Sequence, residues 1–310
     1  MFSGRVISLL APGQGSQTPG MLIPWLELPG TQDRLALWSK AAGLDLVRLG
    51  TTATAEEITD TSVTQPLVVA TALLAFEELE ARGLIPADTI AAGHSVGEIA
   101  AAAVAGVLST DDAVGLAAVR GAEMAKACAL EPTGMSAVLG GDEAAVLARL
   151  EELDLEAANR NAVGQIVAAG RLSALEELAA NPPERARVRA LPVAGAFHTR
   201  FMAPAQDAVS KAASKITPDE PIRTLLSNSD GASVTSGAET LTKLAAQVTQ
   251  PVRWDLCTAS LRNARVSAVA ELPPAGTLVG IAKREMRGTP TLALQTPEDI
   301  SALAELAQLG

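Results

Sequence analysis

Short apolar runs alternate with helix-forming stretches along most of this chain. The runs are Val6–Ala11, Thr89–Ala92, Thr224–Ser227, Val266–Leu272 and Thr291–Leu294. None shows the polar alternation of a half-exposed strand. Strands of this kind are buried on both faces, so helices must cover them above and below. The expected fold class is therefore α/β with a parallel sheet. Two of the intervening helices can be read directly. Leu67–Glu80 is rich in helix formers, with Pro66 near its start and Gly83 as a stop. Val96–Leu108 is apolar on every side, which predicts a helix buried close under the sheet.

The stretch from residue 133 to 195 has a different rhythm. Met135–Leu139 reads as a strand, Asp142–Glu152 as a helix, and Leu155–Asn159 and Gln165–Ala169 as strands about a turn at Gly164. Ser173–Ala180 then reads as a helix and Arg185–Leu191 as a strand. Strand, helix, strand, strand, helix, strand is the order of a ferredoxin-like α+β unit. Proline and glycine flank it at Glu131–Gly134 and Leu191–Gly195. The expected organisation is a discontinuous core of residues 1–132 and 196–310 with a small subdomain, 133–195, inserted.

Composition excludes several functions. The net charge of -11 argues against a nucleic-acid partner, whose phosphates favour basic surfaces. The only cysteines, Cys128 and Cys257, have no zinc spacing and make no disulfide framework, and two histidines cannot complete a usual zinc site, so no metal is expected. The cysteines read as small buried hydrophobes in a cytoplasmic protein. Met1 to Arg5 and the short run after them do not make a secretion signal, and Ile99–Leu108, taken as the most apolar later stretch, is about half a membrane span. No membrane anchor is expected.

The chemistry concentrates at Gly93-His94-Ser95-Val96-Gly97, a glycine-x-serine-x-glycine pattern between a predicted strand and a predicted buried helix. That setting presents Ser95 on a sharp turn, beside the free N–H groups of a helix N-terminus. An accidental small-residue turn is the plainer account of the pattern, and its context favours the nucleophile. A nucleophilic serine needs a base. His94 is adjacent and turned elsewhere, which leaves His198. Gly13-Gln14-Gly15-Ser16-Gln17 follows the first strand. It lacks the third glycine of a dinucleotide site and the lysine of a phosphate loop. It is either a plain strand–helix turn or the source of a second oxyanion donor, the main-chain N–H of Gln14.

Taken in order, these motifs resemble those of the malonyl-CoA:acyl-carrier-protein transacylase family, in alanine-rich wording most like actinobacterial members. The resemblance rests on Gly13–Gln17, Gly93–Glu98, Val119-Arg120-Gly121, Asn161 with Gly164-Gln165, Phe197-His198, and Gln247 ahead of Pro251-Val252-Arg253-Trp254. It spans nearly the whole chain. Pro273-Pro274-Ala275-Gly276 departs from the wording usual near the last core strand. The resemblance implies an α/β-hydrolase-like core with an inserted ferredoxin-like subdomain.

It also implies roles. Ser95 is the nucleophile and His198 its base, oriented by a main-chain carbonyl at Gln247, with Gln250 close by as the alternative. Gln14 and Val96 supply the oxyanion hole. Arg120 receives the malonyl carboxylate, to which a guanidinium fork is matched. Asn161 and Phe197 contact the substrate, and a phenylalanine there accompanies malonyl rather than methylmalonyl in related acyltransferase domains. The implied substrate is malonyl-CoA, with no permanently bound cofactor, and the implied partner is an acyl carrier protein. The enzyme is expected to be a monomer. Arg185, Arg187 and Arg189, alternating on one strand, or Lys211 and Lys215, sharing a helix face, are candidates for docking an acidic carrier. Two rivals share the elbow and base: a serine thioesterase or esterase that uses water, and the malonyl acyltransferase of a polyketide pathway. A non-catalytic acyl-binding protein would have no use for them.

Overall fold

A computed structural model describes residues 6–308; Met1 to Arg5, read above for a leader, lie outside the described residues. Ten strands follow in chain order: β1 (Ile7–Ala11), β2 (Ile90–Gly93), β3 (Thr133–Gly140), β4 (Glu156–Ala162), β5 (Gln165–Arg171), β6 (Ala186–Ala190), β7 (Thr224–Leu225), β8 (Val252–Arg253), β9 (Ala268–Glu271) and β10 (Thr291–Ala293). One sheet has the order β10-β9-β1-β2-β7, with every pair parallel. β1, β2 and β9 are buried throughout, as apolar strands between two helical layers must be.

Each predicted apolar run supplies one strand of this sheet, with trimmed ends. The run at Thr224–Ser227 is a strand only to Leu225: Leu226 still donates its N–H to the Ala91 carbonyl of β2 at 2.9 Å but also bridges to Ser233, where the chain turns off the sheet. The helix Gly97–Val104 is buried at all eight positions. It ends before the predicted Leu108, because the chain turns at Gly106 with φ of 82°.

The helix read as Leu67–Glu80 runs from Thr61 to Ala81 and contains Pro66. Asp60 caps it, accepting the Ser62 N–H at 2.8 Å. Pro66 removes one interior hydrogen bond, to the carbonyl four residues back. Near-continuous burial from Thr61 to Phe76 offsets that loss. This helix, not Ile99–Leu108, is the stretch long and apolar enough to span a bilayer, and 78% of its most apolar window is buried inside the protein. Around it lies an aliphatic core with Trp25 and Trp38 fully enclosed.

The second sheet has the order β6-β3-β5-β4-β8. β3, β4, β5 and β6 are antiparallel neighbours, joined through helices Glu143–Glu152 and Leu172–Ala180. Val138, Val146, Leu150, Ile166 and Leu178 form a separate small core beneath them. The fifth strand, β8, lies outside 133–195 in the chain and pairs parallel with β4.

Three expectations need correction, two about surface charge and one about burial. Arg185 precedes β6 with φ of 61°, so only Arg187 and Arg189 alternate on the strand; both are exposed. Lys215 lies beyond the helix Ala203–Ala213 that carries Lys211, so the two share no helix face. Cys128 is half-buried, against Gly195, while Cys257 is fully buried.

Candidate active site

β2 delivers Ser95 at its C-terminal end, and the helix Gly97–Val104 begins two residues later. Ser95 has φ of 54°, in the left-handed region that a residue with a Cβ seldom adopts. The turn is pressed against the end of β1. A Cβ on Gly97 would lie 2.2 Å from the Ala11 carbonyl oxygen. A Cβ on Gly13 would lie 2.5 Å from the carbonyl oxygen of His94. The loop after β1, which carries Gln14, therefore sits directly on the elbow.

Ser95 Oγ is 2.7 Å from His198 Nε2. On the far side of the ring, Nδ1–H donates to the Gln247 carbonyl at 2.8 Å. A carbonyl only accepts, so the proton is on Nδ1 and Nε2 is free to take the serine hydroxyl. Gln247 rather than Gln250 makes this contact; Gln250 instead donates its own N–H to the same carbonyl at 3.3 Å. His198 is 3% exposed. Burial, with the nearby Arg120 charge, lowers its pKa to about 3 and keeps the imidazole neutral.

Arg120 reaches the site from the helix Thr110–Cys128 and is 1% exposed. Nη1 donates to Gln65 Oε1 at 2.7 Å and Nη2 to Gln247 Oε1 at 2.9 Å. Nη2 also lies 3.4 Å from Ser95 Oγ. Nε has no partner among the described residues. Desolvation lowers its pKa to about 10, so the group stays cationic at neutral pH. The site thus pairs a serine hydroxyl and a neutral imidazole with a buried positive fork.

The other predicted residues fall around this centre. Val96 is fully buried at the start of the helix after the elbow. Neither its N–H nor that of Gln14 is spent on a main-chain hydrogen bond among the described residues. Asn161, on β4, accepts from His94 Nε2 at 2.9 Å and so links the second sheet to the elbow. Phe197 is 6% exposed and packs into the main core next to His198. A cleft of about 350 Å³ opens over Gln14, His94, Asn161, Gln165 and Arg284.

Two further residues hold the elbow from below. Asn228 Oδ1 accepts the Ser95 N–H at 2.9 Å, and its Nδ2 donates to the Gly93 carbonyl at 2.7 Å. Glu98, 3% exposed, accepts the Asn228 N–H at 3.0 Å and also accepts from the Gln247 side chain. Sequence reading included Glu98 in the elbow motif without a role and passed over Asn228 and Gln65. The available signal was the place of Asn228 directly after the predicted strand Thr224–Ser227, where loop residues of parallel sheets gather at a site.

Comparison with known proteins accords with this arrangement. Residues 9–299 match the acyl transferase domain family. A malonyl CoA-acyl carrier protein transacylase of Mycobacterium tuberculosis is 67% identical over 302 residues, covering 97% of this chain and all of that protein. The crystal structure of MCAT from the same organism superposes with a TM-score of 0.95 over 96% of this chain and 99% of that one. A malonyl-transacylase solved in complex with a type II PKS acyl-carrier protein is 27% identical, with a TM-score of 0.88, over 97% of this chain and 99% of its own. A serine elbow at the end of a parallel strand, a histidine aimed by a carbonyl and a match along nearly the whole chain lead to one assignment: this protein belongs to the acyl transferase domain family and, within it, to the malonyl CoA-acyl carrier protein transacylases.

Proposed function

We propose that this protein is an acyl-carrier-protein S-malonyltransferase of fatty acid biosynthesis, acting in the cytoplasm through a malonyl ester on Ser95. The observation that carries the reading is Arg120 Nη2, buried and 3.4 Å from a serine oxygen that already faces His198 Nε2 at 2.7 Å. A neutral acyl group has no use for a buried guanidinium there, whereas the distal carboxylate of malonyl does.

The steps follow from the geometry. Malonyl-CoA enters the cleft with its carboxylate on Arg120. His198 Nε2 takes the Ser95 proton as Oγ attacks the thioester carbon. Main-chain N–H groups of Gln14 and Val96 hold the oxyanion, each donor worth on the order of 10²–10³ in rate. The C–S bond breaks, His198 returns the proton to the CoA sulfur, and malonyl-Ser95 remains. The phosphopantetheine thiol of the carrier then gives its proton to His198 and attacks the ester. The C–S bond forms, the bond to Oγ breaks, and Ser95 recovers its proton. Gln247 keeps the imidazole in the required tautomer throughout, and no step requires a permanently bound cofactor. Asn161 and Phe197 shape the acyl and thioester path. In this reading residues 133–195 form a ferredoxin-like subdomain that closes one side of the cleft.

The test is an intact mass after mixing the protein with malonyl-CoA and no carrier. A malonyl adduct that maps to Ser95, and is absent in Ser95→Ala, is expected. CoA release without an adduct would instead make the protein a hydrolase.

A further inference from the structure

Glu98 lies in the first turn of the helix after the elbow, 3% exposed, and makes no ion pair among the described residues. A buried carboxyl group is costly and is not needed to fill space in a helix otherwise made of small apolar residues. What distinguishes it is that both of its oxygens accept. Oε1 takes the main-chain N–H of Asn228, whose side chain in turn accepts the Ser95 N–H. Oε2 takes Nε2–H of Gln247.

The second contact is one of three that set which way the Gln247 amide faces, and the one made to a carboxyl group. Its NH₂ is turned to Glu98, to the Ser95 carbonyl at 3.2 Å and to Asn228 Oδ1 at 3.1 Å. Its Oε1 is thereby left pointing at Arg120 Nη2, 2.9 Å away. A flipped amide would aim N–H at a guanidinium that only donates. We propose that Glu98 is a positioning residue for acyl-group selection: by fixing the Gln247 amide it holds Arg120 beside Ser95, and so sets the preference for an acyl group that carries a carboxylate. The proposal rests on the reading of Arg120 given above. Burial raises the Glu98 carboxyl to about 7, while hydrogen bonds from Asn228 and Gln247 and the charge of Arg120 pull it back towards ionisation.

Glu98→Gln separates this role from plain packing. The Asn228 N–H is main chain and cannot flip, so it claims the amide oxygen at position 98. The amide nitrogen must then face Gln247, which can accept it only by turning its own NH₂ towards Arg120. Single-turnover acylation of the full-length protein would be measured with malonyl-CoA and with acetyl-CoA, with the unfolding midpoint recorded beside it. The malonyl-to-acetyl rate ratio is expected to fall about tenfold or more, as for loss of a charge-assisted contact. Both rates falling together, with the ratio unchanged, would overturn the proposal. Should Glu98→Gln not fold, Gln247→Leu breaks the same relay at its other end while keeping the main-chain carbonyl on His198. There too the ratio must fall, and an unchanged ratio is again fatal. A wild type that takes no malonyl group removes the underlying reading and this proposal with it. A wild type that takes malonyl, with a variant that keeps its ratio, removes this proposal alone.

Discussion

Among the described residues the sealed Arg120 guanidinium bonds only two amide oxygens and a hydroxyl, and desolvation outweighs the nearby Glu98 charge, so its burial is destabilising. Arg120→Ala should therefore leave the fold intact. Acylation by malonyl-CoA should drop by on the order of 100-fold or more, the cost of removing one member of a buried charge pair, while acylation by acetyl-CoA changes little or rises. Paired single-turnover rates would check it. His198 carries a pH signature. Its folded pKa of about 3 lies below the unfolded value near 6.5, so the unfolded chain binds the extra proton between those limits. Its contribution to stability is whole above pH 6.5 and is lost as pH falls towards 3. Urea unfolding at pH 7 and pH 5 should show wild type losing on the order of 2 kcal/mol relative to His198→Gln over that interval. At this scale Ser95 and His198 were legible because a serine elbow has a local signature and the chain offers only two histidines. Asn228 was not, because its partner lies 133 residues away and its one local signal, a place directly after a core strand, does not name that partner.

The strand and turn that carry Ser95 are short, and the loop after β1 meets them main chain against main chain. Gly13→Ala places a methyl 2.5 Å from the His94 carbonyl oxygen, and neither side can rotate away. The loop bearing Gln14 must lift from the elbow. Ser95 acylation should slow by on the order of 100-fold, the usual consequence of a displacement near 1 Å at a reacting centre, with the far-ultraviolet dichroism unchanged. The helix Thr61–Ala81 serves the site at its first turns: Thr61 accepts from the Gln14 side chain at 3.3 Å, and Gln65 holds Arg120. The sequence pattern located that helix but not its start. Pro66 reads as an N-terminal signal, but the helix starts one turn earlier, where Asp60 caps it and Thr61, Thr64 and Gln65 are buried. Strand positions were legible for the opposite reason, since a doubly buried strand is apolar at nearly every position, and its buried polar members, Ser8 and Glu271, are satisfied by hydrogen bonds.

At the scale of the molecule, two sheets meet at the cleft, joined by Asn161 on one side and His94 on the other. The exposed Arg187 and Arg189 on the edge strand β6 offer positive charge on an otherwise acidic protein. Charge reversal at both should raise the KM for an acidic carrier roughly tenfold at low salt and less at high salt, leaving Ser95 acylation by malonyl-CoA unaltered. Steady-state kinetics at two ionic strengths would check it. The order of elements in 133–195 was readable from turn residues and periodicity, whereas the recruitment of β8 was not, because two residues carry no periodicity. That recruitment has a consequence for exchanging parts between relatives. Val252, fully buried, pairs with Asn159 only five positions after the carbonyl that aims His198. A transplanted 133–195 segment whose β4 edge did not accept this borrowed strand would leave the turn that carries the Gln247 carbonyl unmoored, so an exchange should carry residues 133–195 together with residues 247–254.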